Sequence, residues 1–163
     1  MNDTAEFSGK VAVVTGAGQG MGRSVAQRLA AGGARVAVND INAAAAENTA
    51  SRIVEVGGEA VAVVGDVASA NDVRRIMSKT LDTFSAIHIL VHAAGVLRRT
   101  PISDIEESEW DLVINVSLKG AYLCTRAVLP AMKRASWGRI INFSSTAGKT
   151  VSTLGGPHYT AAK

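Results

Sequence analysis

The chain has 163 residues, 47% of them hydrophobic and 19% charged, enough for one domain with a buried core and unlike a disordered chain. Its formal charge of +3 comes from scattered Lys and Arg, and only 4% of residues are aromatic, a poor footprint for nucleic-acid binding. The single cysteine, Cys124, excludes an intrachain disulfide and a Cys-based zinc cluster.

The segment MNDTAEFSGK carries acids and no apolar run, so it does not read as a secretory signal. No later segment is expected to reach the ~20 apolar residues of a membrane span. A cytoplasmic protein without membrane or metal is the expectation.

In chain order, short runs rich in Val and Ile alternate with helical patterns. Lys10–Thr15 reads as a strand, Met21–Ala31 as a helix closed by Gly32 and Gly33, and Arg35–Asn39 as a second strand. Asn42 caps a helix to Val56 that ends at Gly57 and Gly58, and Ala60–Val64 is the third strand. Ser69–Phe84 is a helix and Ile87–His92 a strand. A long helix covers Ser108–Ala135 despite Gly120 and Pro130, with Cys124 as a buried thiol inside it, and Arg139–Ser144 is the fifth strand. Strands so continuously apolar are covered on both faces, which predicts a doubly wound α/β domain of Rossmann type. Its parallel sheet, flanked by helices, takes the order 3-2-1-4-5 through right-handed crossovers.

The first strand runs into TGAGQGMG, Thr15 to Gly22, which opens the first helix. Gly16 permits the tight turn, Gly20 lets a pyrophosphate approach the helix N-terminus alongside Gln19 and Met21, and Gly22 lets helix and sheet lie close. Asp40 ends the next strand, where a ribose hydroxyl would need an acceptor. A carboxylate there repels a 2′-phosphate, and neither Gln19 nor Ile41 supplies a cation, so NAD is favoured over NADP. The alternative role for Asp40 is a helix cap.

With GGPHYTAAK at Gly155–Lys163 added, the chain resembles the short-chain dehydrogenase/reductase family from about Phe7 to Lys163, and within it the 3-oxoacyl carrier-protein reductase-like members. The resemblance implies that Asp66 and Val67 contact the adenine. HAAG at His92–Gly95 stands where the family has Asn-Asn-Ala-Gly, so Ala93, Ala94 and Gly95 are expected at the cofactor, while His92 and Ala93 replace both asparagines, a departure that bears on strand support more than on catalysis. Asn115 would complete a proton relay, and Ser145, or Ser144 if the register is one off, would hold the substrate oxygen. It further implies a homodimer or homotetramer at full length, and a family fold that continues past Lys163; residues 1–163 are then one dinucleotide-binding domain, incomplete at the C-terminus.

The chemistry is consistent with those positions. A free phenol, with a pKa of ~10, is a poor base near neutrality, and an ammonium one turn away favours the phenolate. Tyr159 is then the acid/base for a secondary alcohol or ketone, Lys163 its electrostatic partner toward the nicotinamide ribose, and Ser145 the donor to the carbonyl oxygen. A non-catalytic NAD-binding fragment is the competing reading. His158 is read as lining the substrate site or as solvated, Arg98 and Arg99 as meeting an acidic substrate group or as exposed, and Trp110 and Trp137 as packing.

Overall fold

The structure, a computed structural model, describes residues 6–150, Ser152 and residues 154–163. Residues 1–5, half of the segment read for a secretory signal, lie outside the described residues, as do Val151 and Thr153 of the loop between Ser145 and Tyr159.

Five parallel strands form one sheet in the order β3-β2-β1-β4-β5, as the crossover rule predicts. They are β1 Val11–Thr15, β2 Arg35–Asp40, β3 Glu59–Val64, β4 Ile89–His92 and β5 Arg139–Asn142. The helices are α1 Gly20–Ala31, α2 Ala43–Glu55, α3 Ala70–Phe84, α4 Glu107–Ile114, α5 Gly120–Arg134 and α6 Pro157–Ala162. Every residue of β1 is buried, and its side chains alternate between two cores. Ala12 and Val14 meet Ala26, Leu29 and Ile53 of α1 and α2, while Val13 meets Ile76, Cys124 and Val128 of α3 and α5. The sheet is thus covered on both faces.

Local chemistry sets the boundaries. Asn42 caps α2 by accepting from the Ala45 N–H at 3.0 Å, and Ser69 caps α3 by accepting from Asp72 at 3.3 Å. Pro157 stands at the start of α6, where its missing N–H is harmless. β5 stops at Asn142, two residues short of the expected Ser144.

The expected single helix Ser108–Ala135 is corrected in one respect. Between α4 and α5 the backbone widens into a π-helical turn, Asn115–Lys119, which places Asn115 at a break in the regular ladder. Gly120 permits the close packing there, since a Cβ would lie 3.0 Å from Val67 and 3.2 Å from His92. The membrane expectation is also corrected: the continuous stretch Glu107–Arg134 is long and apolar enough, by length and composition, to cross a membrane. It packs on α3 and β4, the place of a sheet-covering helix, and its outer face shows Leu118 and Tyr122.

Candidate active site

The first part of the site is the turn between β1 and α1. Gly16 has φ +62°, and a Cβ on it would fall 2.8 Å from the Ala94 backbone. Gly22 packs so closely on the Gly16 carbonyl that no side chain fits. Gly20 has φ +54° and open space around it, so it supplies backbone conformation and unobstructed approach at the α1 N-terminus. Asp40 braces this turn: one carboxylate oxygen accepts from the Gly18 N–H at 2.9 Å and the other from Asn42 at 3.0 Å. The second contact satisfies the chain entering α2, although Asn42 is the cap itself.

A cleft of about 470 Å³ opens beyond the carboxyl ends of the strands. Gly16, Gln19, Met21 and Gly22 line it, together with Asp40, Asp66, Val67 and Ala93–Gly95. Gly20 does not, and neither do Tyr159 and Lys163. Met21 and Ile41 at its rim are each 70% exposed, apolar surface that a planar ring could cover. Arg98 also lines the cleft and is exposed, as is Arg99. A larger hollow of about 960 Å³ lies at the opposite end, beside Gln27, Arg52 and Gly57, and holds none of the motif residues.

Thr15 and His92 join the turn to the neighbouring strand. The Thr15 hydroxyl accepts from the Ala94 N–H at 3.3 Å and lies 3.0 Å from His92 Nδ1. A hydroxyl that accepts from Ala94 can donate to Nδ1, which fits the neutral tautomer with its proton on Nε2. Nε2 is buried without a hydrogen-bond partner among the described residues, and the backbone at Val116 of the π turn favours the protonated ring. Burial dominates and pushes the His92 pKa down to about 4. The departure from the family's asparagine therefore retains strand support: a neutral imidazole links β1, β4 and the turn that bears Asn115.

The second part is β5 through α6. Lys163 Nζ donates to the Phe143 carbonyl at 2.6 Å and lies 5.9 Å from the centre of the Tyr159 ring. A Cβ on Gly95 would be 3.4 Å from that ammonium, so Lys163 reaches the floor of the cleft. Burial lowers its pKa from the ordinary lysine value. The Tyr159 ring packs directly over Gly155, in space a side chain there would occupy. Ser145 Oγ accepts from the Ala147 N–H at 3.2 Å, which leaves its own proton free to donate. Ser144 Oγ instead donates to the Lys163 carbonyl at 3.0 Å. Asn115 is half-buried on the π turn and makes no side-chain hydrogen bond to Lys163 or Tyr159 among the described residues.

Both readings of His158 are corrected. It is fully buried, its Nε2 lies 3.0 Å from Glu109 Oε1, and Trp110 stacks on its ring. Trp137 packs as expected, edge-on to His88 with Lys10 and Arg139 over its face. Burial pushes the Cys124 thiol up to about 12, which leaves it inert at neutral pH.

Three contributors had not been singled out from sequence. Arg23 bonds the Gly18 carbonyl and reaches Thr49 Oγ1 at 3.2 Å, fixing the glycine turn from α1. Buried Asn39 donates to the Val63 and Gly65 carbonyls at 2.9 and 3.1 Å, joining the ends of β2 and β3. Asp72 accepts from the Asp66 N–H at 3.0 Å, and the pattern Ser69-x-x-Asp72 was its available signal.

Fold and cleft define a doubly wound α/β protein of Rossmann type. The sequence model of the short chain dehydrogenase family matches residues 10–163, so the chain belongs to that family. It is 41% identical over 158 residues to a 3-oxoacyl-(acyl-carrier-protein) reductase of Synechocystis sp., covering 96% of this chain and 64% of that protein. It is 40% identical over 166 residues to the peroxisomal multifunctional enzyme type 2 of Drosophila melanogaster, covering 96% of this chain and 27% of that one. A crystal structure of a short chain dehydrogenase from Mycobacterium avium superposes with a TM-score of 0.89 at 38% identity, over 96% of this chain and 59% of that chain. The chain thus spans less than two thirds of these relatives' length. Members of the family bind nicotinamide cofactors, NAD or NADP, act on small molecules and usually oligomerise.

Proposed function

We propose that residues 1–163 form a dinucleotide-binding unit of an NAD-dependent oxidoreductase acting on a secondary alcohol or ketone, with a 3-oxoacyl thioester a candidate substrate. The observation that carries this reading is the placement of the Lys163 ammonium beside both Gly95 and Tyr159. A bound nicotinamide would supply or accept the hydride.

The residues of the chain then divide the remaining work. The turn from Gly16 to Gly22 offers backbone N–H groups to the pyrophosphate, and Asp40 accepts from the adenosine ribose and disfavours a 2′-phosphate. Asp66 and Val67 flank the adenine, and Ala93–Gly95 form the floor on which the cofactor lies. Ser145 donates to the substrate oxygen, and Tyr159 gives its proton to the developing alkoxide or takes one in reverse. Lys163, partly desolvated, favours the phenolate and reaches the nicotinamide ribose. Asn115, through water, resupplies protons to Lys163. The exposed outer face of α4 and α5 is the surface we assign to a homodimer or homotetramer contact.

Tyr159→Phe tests the assignment. It should lower kcat by about 10²- to 10⁴-fold, the range of a lost general acid, while NADH affinity stays nearly unchanged. NADH consumption with a panel of ketones and 3-oxoacyl thioesters, followed by absorbance, measures the first; calorimetry measures the second. Substantial turnover by the Phe variant would sink the role given to Tyr159.

A further inference from the structure

We propose that Glu109, His158 and Trp110 form a positioning clasp that sets the pose of Tyr159 relative to the turn bearing Asn115. The inference rests on the reading of Tyr159 as acid/base. Glu109 stands six positions before Asn115 on α4, and His158 immediately precedes Tyr159 on α6. The bond between His158 Nε2 and Glu109 Oε1, at 3.0 Å, is the side-chain hydrogen bond that joins these elements among the described residues.

Three observations separate a clasp from simple core filling. First, His158 is 0% exposed, yet its Nε2 is aimed at a carboxylate whose own side chain keeps 26% exposure. With Nδ1 already unpartnered, removal of Glu109 would leave a buried imidazole bonded at neither nitrogen. Second, the ring stacks on Trp110 with centroids 6.3 Å apart and planes 17° apart, so both its direction and its tilt are fixed by α4. Third, Gly156 vacates the space, since a Cβ there would lie 2.7 Å from His158 Cε1.

The helix that needs this help is short. α6 has six residues, too few to hold a helical pose without tertiary contacts. Its entry is tied by the Gly156 N–H to the Arg98 carbonyl at 2.8 Å, and its far end by Lys163 to Phe143. Between these points the Glu109 bond is the one next to Tyr159 in the chain. A small misplacement of a catalytic group lowers rate steeply, by up to about 10²-fold for ~1 Å. Glu109 and His158 are therefore positioning residues rather than groups that touch substrate.

The test reads Tyr159 directly in the 163-residue chain. Tyr122 and Tyr159 are the two tyrosines, so Tyr122→Phe leaves one site for 3-fluorotyrosine and a single fluorine resonance. In that background, Glu109→Leu should displace or split the Tyr159 resonance by more than its linewidth. Glu109→Gln, whose amide oxygen still accepts from Nε2–H, should restore it. An unchanged resonance in Glu109→Leu would overturn the proposal, and so would equal displacement by Gln and Leu. Glu109 is partly exposed, and an unchanged far-ultraviolet dichroism spectrum verifies that both variants fold. The spectrum needs no turnover, so failure of the oxidoreductase reading and failure of the clasp are distinguishable. Where turnover is measured, Glu109→Leu should lower kcat about tenfold with KM and NADH affinity within about twofold, and Glu109→Gln should recover it.

Discussion

The cofactor turn and the tyrosine helix are built in different ways. Around the turn, contacts are buried and largely backbone: Thr15 is 0% exposed, Gly16 lies against Ala94, Gly22 against Gly16, and Asp40 and Arg23 grip Gly18 from two sides. The tyrosine end has β5 at the rim of the sheet with Ile141 47% exposed, and a one-and-a-half-turn helix held by single side-chain bonds from Lys163, Ser144 and His158. The turn proposed to bind nucleotide is therefore inseparable from the core, whereas the geometry of the proposed acid/base depends on a few distant partners. Damage at the first end should appear in stability and binding together, and damage at the second in turnover alone.

The sharpest separation is expected at the serines. Ser145→Ala should lower kcat by about 10²-fold, as loss of one donor to a developing oxyanion does, with NADH affinity and melting temperature unchanged. Ser144→Ala, which loses only the tie to the Lys163 carbonyl, should lower kcat by less than about tenfold; the reverse order would shift the assignment by one residue.

His92 tests the other end through pH. Its native pKa of about 4 lies below the 6.5 of the ordinary group, so the unfolded chain takes up the proton first as pH falls. Its contribution is thus fully present above pH 6.5 and lost toward pH 4, a loss of roughly 3 kcal/mol. Burial lowers the His88 pKa too, with Lys10 and Arg35 assisting, and adds in the same direction. Urea midpoints measured between these limits should fall steadily, and His92→Asn, which keeps an amide for Thr15, should flatten most of the slope. An equally steep slope in the variant would contradict the assignment.

Gly22→Ala should destabilise by about 1–3 kcal/mol, because the methyl meets the Gly16 carbonyl, and weaken NADH binding in the same preparation. A loss of binding without loss of stability would break the proposed coupling. The smallest effect is at Asp40. Asp40→Asn keeps an acceptor for only one of the Gly18 and Asn42 N–H groups and removes the charge, so the NADH-over-NADPH preference should narrow about fivefold, the order of 1 kcal/mol for a partly exposed charge. Competitive titration of both cofactors measures it.

Which parts of this division are legible in sequence follows from range. The strands announce themselves because burial on both faces leaves uninterrupted apolar runs such as Val11–Val14, and Asn42 and Pro157 mark helix starts by local chemistry. The glycine turn is equally local. The π turn is hidden, since one extra residue in Asn115–Lys119 barely disturbs helical periodicity. Contacts that hold the site are hidden for a different reason: His158 finds Glu109 across 49 positions, and Thr15 finds His92 across 77, distances at which sequence spacing carries no geometry. The apolar outer face of Glu107–Arg134 likewise depends on what packs against it, which periodicity alone does not disclose.

Transfer of label is the most direct test of the central claim. NADH deuterated at C4 would be incubated with the whole enzyme to which residues 1–163 are proposed to belong and a ketone or 3-oxoacyl thioester that it consumes, or with the whole panel, and the alcohol products analysed by mass spectrometry. The account predicts one deuterium on the carbinol carbon from one face of the nicotinamide, and its loss in Tyr159→Phe. Tight NADH binding with no label in any product would contradict it and leave a nucleotide-binding protein without hydride transfer.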